Sequence, residues 1–167
     1  PTPLTSFAVN HFWVDGAIQV RASHNPAEFN GLKLQVGMEA LAGAELQKVE
    51  RLIASGAFAT GRGRRVVRDV EYPYLNCLLH KVSVSRSYRV AVDAGHGVSG
   101  PLALRLLREL GCQVVPLYCE PDGTFPAHAP DPSEAENLAD LVTAVREQGC
   151  DVGIAFARIT ANLTTFS

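Results

Sequence analysis

Tyr88-Arg-Val-Ala-Val-Asp-Ala-Gly-His-Gly-Val-Ser-Gly-Pro101 is an apolar run, then a glycine-rich stretch, then a proline. Arg89 to Asp93 is rich in β-branched residues and reads as a strand. Gly95 to Gly100 reads as a turn. Pro101 suits the first turn of a helix, where its missing N–H has no partner to lose. The pattern then repeats. Pro101 to Leu110 reads as a helix ended by Gly111, and Cys112 to Tyr118 as a second strand. Pro121 to Pro132 is a proline-rich loop. Ser133, with Glu136 three residues on, makes a capping box before a helix that runs to Gln148 and stops at Gly149. Asp151 to Phe156 is a third strand. A β-α-β-α-β run of this kind builds a parallel sheet with helices packed on it.

Upstream the pattern is less regular. Leu4 to Trp13 reads as a helix, with Thr2 or Thr5 available to cap it. Gly16 to Val20 is short and apolar, as a strand is. Leu32-Lys-Leu-Gln-Val36 alternates apolar and polar, as a half-buried strand does. Leu46, Val49, Leu52 and Ile53 give Gly43 to Ser55 a helical spacing. Gly56 to Arg65 is rich in glycine and arginine and reads as an exposed connection, with Arg62, Arg64, Arg65 and Arg68 a solvated basic run. Tyr72 to Val82 reads as a helix with Pro73 in its first turn. The reading is α/β: a first unit over residues 1–85, a second over 86–156, and a tail at 157–167. The boundary falls between Lys81 and Ser87.

With 167 residues, 47% hydrophobic and 19% charged, the chain has the composition of a globular protein. A net charge of −2 gives no sign of nucleic acid or an anionic membrane as partner. No apolar run is long enough to cross a bilayer. The opening on Pro1 reads as a processed chain or a fragment. Cys77, Cys112, Cys119 and Cys150 form no Cys-x-x-Cys pair. They read as buried free thiols, which suits a cytoplasmic protein.

One loop concentrates chemistry: Arg21-Ala-Ser-His-Asn-Pro-Ala-Glu-Phe-Asn-Gly-Leu-Lys33. Ser23 is a hydroxyl nucleophile that needs a base, a metal or a phosphate already attached. His24 adjoins it, but neighbours on an extended backbone point to opposite sides, so His24 reads as an anion partner rather than as the base. Asn25-Pro26 and Asn30-Gly31 are turn signals. The returning strand carries Lys33, a candidate charge partner or acid/base. The same residues also make an ordinary polar surface turn, and residue chemistry alone leaves both readings open.

The segment from Ala22 to Lys33 resembles the active-site loop of the α-D-phosphohexomutases, written Thr-Ala-Ser-His-Asn-Pro, an insert, then Asn-Gly-x-Lys. Val92-Asp-Ala-Gly-His-Gly-Val-Ser-Gly-Pro101 is similar to the opening of that family's second domain. Pro116-Leu-Tyr-Cys-Glu-Pro-Asp-Gly-Thr-Phe-Pro126, Pro130-Asp-Pro132 and Glu136-Asn-Leu138 resemble its bacterial phosphomannomutase/phosphoglucomutase branch. The resemblance covers residues 1 to 156. It implies two α/β units of the phosphohexomutase type, the first incomplete, and an isomerase that interconverts hexose 1-phosphates and 6-phosphates of mannose or glucose. By the same resemblance Ser23 carries the phosphoryl group, Lys33 matches the acid/base lysine and His24 the loop histidine. The family holds Mg2+ with an oxygen of the phosphoserine (here Ser23) and three aspartates.

The chain departs from that pattern in two places. Arg21 stands where the family has threonine. Phe156 is followed by Ala-Arg-Ile-Thr-Ala-Asn-Leu-Thr-Thr-Phe-Ser167 instead of the aspartate-rich metal loop, with no Asp or Glu after Asp151. The expectation is therefore a truncated mutase that does not turn over on its own. Two alternatives stand beside it: a non-catalytic remnant, and an NAD-binding fragment. Gly95 to Gly100 fits Gly-x-Gly-x-x-Gly, with Glu120 about twenty residues on. Asp93 and Pro101 argue against a pyrophosphate there, and the glycines read more simply as allowing close strand–helix packing. His96 has no assigned role. His128 reads as a surface loop residue or as a contact within the second unit.

Overall fold

A computed structural model of the chain describes residues 2–21, 30–156 and 164–166. Helix α1 (Thr2–Phe12) leads into β1 (Gly16–Arg21), β2 (Gly31–Val36) and β3 (Glu39–Ala40). These strands form an antiparallel sheet in the order β1-β2-β3. Gly37, at φ 54°, leads the two-residue turn between β2 and β3. Thr2 and Thr5 both lie inside α1 rather than before it.

The alternation in β2 has the expected period and an unexpected face. Ile18, Val20, Leu32 and Val36 share one side of the β1–β2 pair and are 61–67% exposed. α1 packs against β1 from the polar side, where the Ser6 hydroxyl donates to Gln35 Oε1 at 3.4 Å. The apolar side of the sheet has no cover among the described residues. Helix α2 (Ala44–Ser55) behaves likewise: it forms where the spacing predicts it, yet none of its residues is buried. Residues 56–69 are exposed throughout, as expected.

Helix α3 (Glu71–Lys81) buries Leu75 and packs against α1. Its first turn is held by a cap that the sequence reading lacks: the Asp69 carboxylate accepts the N–H of Glu71 at 2.9 Å and of Tyr72 at 3.4 Å.

The second unit matches the expected parallel run. It comprises β4 (Arg89–Asp93), α4 (Gly100–Glu109), β5 (Gln113–Leu117), α5 (Ala139–Glu147) and β6 (Val152–Ala155). β4 pairs in parallel with β5 on one side and β6 on the other. α4 also meets α3. Val90 and Val92 face Ala103, Leu104 and Cys112 on one side of the sheet; Ala91 faces Leu138, Leu141 and Ala144 on the other. Helices thus cover both faces. Pro116 sits on β5, an edge strand, where its missing donor is tolerated. Gly111 and Gly149, at φ 85° and 59°, end α4 and α5 as expected.

One expectation fails locally. The predicted capping box is absent: a 3-10 turn over Ala135–Leu138 precedes α5, and no side-chain cap bond is made at Glu134. Asp131 takes Ser133 instead, accepting its hydroxyl at 2.6 Å and its N–H at 3.0 Å. A local Asx turn outcompetes the cap. Within residues 157–167, read as a tail unrelated to the family, Thr164–Phe166 forms β7, antiparallel to β6 at the sheet edge.

Candidate functional site

The β1–β2 hairpin is the frame of the predicted loop. Its last pair is Arg21↔Gly31, and the predicted loop lies between these two residues in the sequence. Ser23 and His24 lie outside the described residues. Lys33 lies within them, opposite Gln19 and exposed. At about 3.3 Å per residue, Lys33 is roughly 7 Å from the mouth of the hairpin. Gln19 Oε1 is buried with no hydrogen-bond partner among the described residues. The structure therefore places Lys33 and an acceptor with no partner among the described residues on adjacent strands.

A second cluster lies at the carboxyl end of the parallel sheet, and the sequence reading missed it. Asp93 ends β4 and is 2% exposed. Its Oδ1 accepts the Gly95 N–H at 2.8 Å, and its Oδ2 meets His128 Nε2 at 3.1 Å. Of the two readings of His128 the contact within the second unit holds; its side chain is 17% exposed. Burial raises the Asp93 carboxyl above its ordinary range, opposed by the Gly95 hydrogen bond and by His128. The Tyr118 ring stands edge-on to His128 and its hydroxyl donates to Asp140 at 2.6 Å, which with burial raises the phenol. His96 is held with Nδ1 2.9 Å from the Glu120 carbonyl. Cys119 is buried nearby, and burial pushes its thiol up to about 11, so it is an inert thiol at neutral pH. No sequence signal joins Asp93 to His128, because they are far apart in the chain and only the sheet brings them together.

The glycine turn is filled by protein. A Cβ on Gly100 would collide with the Cys119 carbonyl, and one on Gly95 would lie 3.0 Å from Pro130 Cβ. Close packing of the helix start against the end of the strand explains Gly100, as the simpler reading held, whereas Gly95 packs on the proline-rich loop and sits at φ 47°.

Mg2+ needs hard oxygen donors, above all carboxylates. Among the described residues no group of three or more His, Cys, Asp or Glu is placed to hold a metal. Residues 157–167 contain neither Asp nor Glu. The residues present do not fit the ion that the resemblance implies. Among the described residues, no helix is long and apolar enough to cross a membrane.

Residues 1–60 match the family model for phosphoglucomutase/phosphomannomutase α/β/α domain I, and residues 72–157 match that for α/β/α domain II. A phosphomannomutase/phosphoglucomutase of Pseudomonas aeruginosa is 38% identical over 156 residues, covering 93% of this chain and 34% of that protein. A phosphoglucomutase of Neisseria meningitidis is 35% identical over 157 residues, again covering 93% and 34%. The chain thus spans about a third of the length of the curated relatives it matches. Among solved structures, a phosphoglucomutase/phosphomannomutase family protein from Burkholderia thailandensis superposes with TM-score 0.82 at 38% identity, over 86% of this chain and 31% of that one. A phosphomannomutase-like structure from Thermus thermophilus gives 0.81 at 26% identity, over 99% and 39%.

Proposed function

This chain belongs to the phosphoglucomutase/phosphomannomutase family, and we propose that it carries the phosphoryl-bearing part of a hexose-phosphate mutase. Ser23 is the phosphoryl carrier: the phosphoserine passes its phosphoryl group to the free hydroxyl of a hexose monophosphate, the resulting bisphosphate reorients, and its other phosphoryl group returns to the Ser23 Oγ, so that hexose 1-phosphate and 6-phosphate interconvert. Lys33 supplies positive charge and proton transfer at the hydroxyl that gains or loses the phosphoryl group. His24 hydrogen-bonds the phosphate. The observation that supports this reading most is the hairpin itself, which carries Lys33 on its returning strand, two residues past the end pair Arg21↔Gly31, with Ser23 and His24 in the sequence between its strands.

The carboxylates for Mg2+ are missing from the segment after β6, so no step is assigned to a metal here. We further propose that this chain alone does not complete the interconversion, since about two thirds of its relatives' length has no counterpart in it. Two measurements test the pair of statements. Incubation with a hexose bisphosphate should place phosphate on Ser23, read by mass spectrometry, and a coupled mutase assay should stay at background. Phosphate on another residue would sink the first statement, and clear turnover the second.

A further inference from the structure

We propose that Asp93 and His128 form a one-proton latch that fastens the loop from Pro121 to Pro132 over the carboxyl end of the parallel sheet, and that raising the pH opens it. The argument is a count of donors. His128 Nδ1 lies 2.9 Å from the Ala129 carbonyl oxygen, and Nε2 lies 3.1 Å from Asp93 Oδ2. A carbonyl oxygen and an ionised carboxylate both only accept. A neutral imidazole has a single N–H and would satisfy one contact while turning a lone pair on the other. Both contacts are made only when the pair carries one further proton. That proton sits on the ring, facing a carboxylate, or on the carboxyl, donating to Nε2. The proton count is the same in either case.

The surroundings preserve this arrangement. Asp93 is 2% exposed, so water does not replace the imidazole, and its other oxygen is taken by the Gly95 N–H. Tyr118 faces the His128 ring and gives its proton to Asp140, and the Cys119 thiol points to the Val92 and Leu117 carbonyls. His96 lies against Tyr118 with its Nδ1 at the Glu120 carbonyl. The carboxylates of Asp140 and Glu120 add negative charge near Asp93 and Cys119, and burial raises the Asp93 carboxyl. Burial and these charges favour keeping the proton, against the Gly95 hydrogen bond, which favours the carboxylate.

The latch lies where it can matter. Pro130 packs on Gly95, and the Asp122 N–H donates to the His96 carbonyl, so the loop is tied down at both ends. The Asp93 carbonyl accepts the Phe156 N–H at 2.8 Å, which sets the chain leaving β6. β4 and β6 are neighbours whose flanking helices cover opposite faces, and open parallel sheets bind ligands at such a switch point.

The sign follows from proton counting. Above about pH 6.5 the opened pair is a neutral imidazole and a carboxylate, one proton fewer than the latched pair. Hydrogen exchange on the whole chain tests this. Exchange of the loop amides, relative to α4, should be flat below about pH 6.5 and then accelerate with rising pH, by up to tenfold per unit. Asp93→Asn should reverse the direction. Its amide donates to Nε2 of a neutral ring, so the loop loosens on acidification instead. His128→Asn should abolish the dependence. Loop exchange that is flat or slows with rising pH in the wild type would overturn the proposal. So would an Asp93→Asn variant with the wild-type direction. Circular dichroism establishes that each variant is folded, and the wild-type profile decides the matter even if neither is.

Discussion

Gly100 stands against the backbone carbonyl of Cys119, so close that a Cβ on Gly100 would overlap that oxygen. The first turn of α4 therefore abuts the chain just beyond β5, and only a residue without a side chain fits. Gly100→Ala should cost about 1–3 kcal/mol by forcing the backbone apart. Gly123→Ala, where nothing lies within 4 Å, should be near neutral. Urea denaturation of the two variants gives the comparison.

Leu141 is fully buried between α5 and the sheet, whereas Leu52 on α2 is 54% exposed. Leu141→Ala should destabilise by about 2–5 kcal/mol. Leu52→Ala should stay within about 0.5 kcal/mol. Similar losses from the two would show that α2 is covered in solution.

Asp151 should make stability acid-sensitive. Its carboxylate accepts Arg86 Nη2 at 2.6 Å and the Arg89 N–H at 2.7 Å, and these bonds, Arg86 first, hold its carboxyl below the ordinary range. The folded state then binds the proton less readily than the unfolded state. The contribution is complete above the unfolded value of about 3.9 and is lost as pH falls through the lower folded value. The stability gap between wild type and Asp151→Asn, measured by denaturant midpoints, should be constant above about pH 5 and narrow as pH falls below about 4. A gap that stays constant throughout would contradict this.

Ser23→Ala should abolish phosphate incorporation from a hexose bisphosphate. Lys33→Ala should slow it by about 10²–10⁴-fold, the range typical of a positioned acid or base. Quench-flow labelling followed by peptide mapping distinguishes the two effects. A Lys33→Ala variant as fast as wild type would remove Lys33 from the site.

Ile18, Val20, Leu32 and Val36 present a contiguous apolar face to solvent, and Trp13, 91% exposed, follows α1 nearby in sequence. Faces of this kind drive association. Sedimentation velocity should show mass rising with concentration. Replacing Val20 and Leu32 together by Thr should lower it without disturbing β1–β2 pairing, since Thr suits a strand. A monomer at all concentrations would count against this.

Much of the fold was legible because it is local. The strand–turn–helix rhythm from Arg89 to Phe156 rests on β-branched runs, on Pro101 at a helix start, and on Gly111 and Gly149 at helix ends. Each is a short-range backbone preference that the surroundings did not overrule. The capping box at Ser133 was misread because Asp131, two residues back, offered the same serine a closer acceptor. Lys33 was legible as a candidate, since a turn signal before an alternating run fixes a hairpin and its register. The Asp93–His128 pair was not, because nothing in either residue's neighbourhood points to the other.

By itself, then, the sequence determined most of the strands and helices, though not β3, β7 or the start of α5, which family the chain belongs to, and that no carboxylate follows Asp151. These depend on backbone chemistry and on residue identity. Only the tertiary structure decided which faces are covered. Among the described residues it left the apolar side of β1 and β2 open, because α1 packs on the polar side. It also buried Asp93 against a histidine from a distant loop. Burial and partner choice are properties of whole elements meeting in space, and a residue's own neighbours in the chain do not set them.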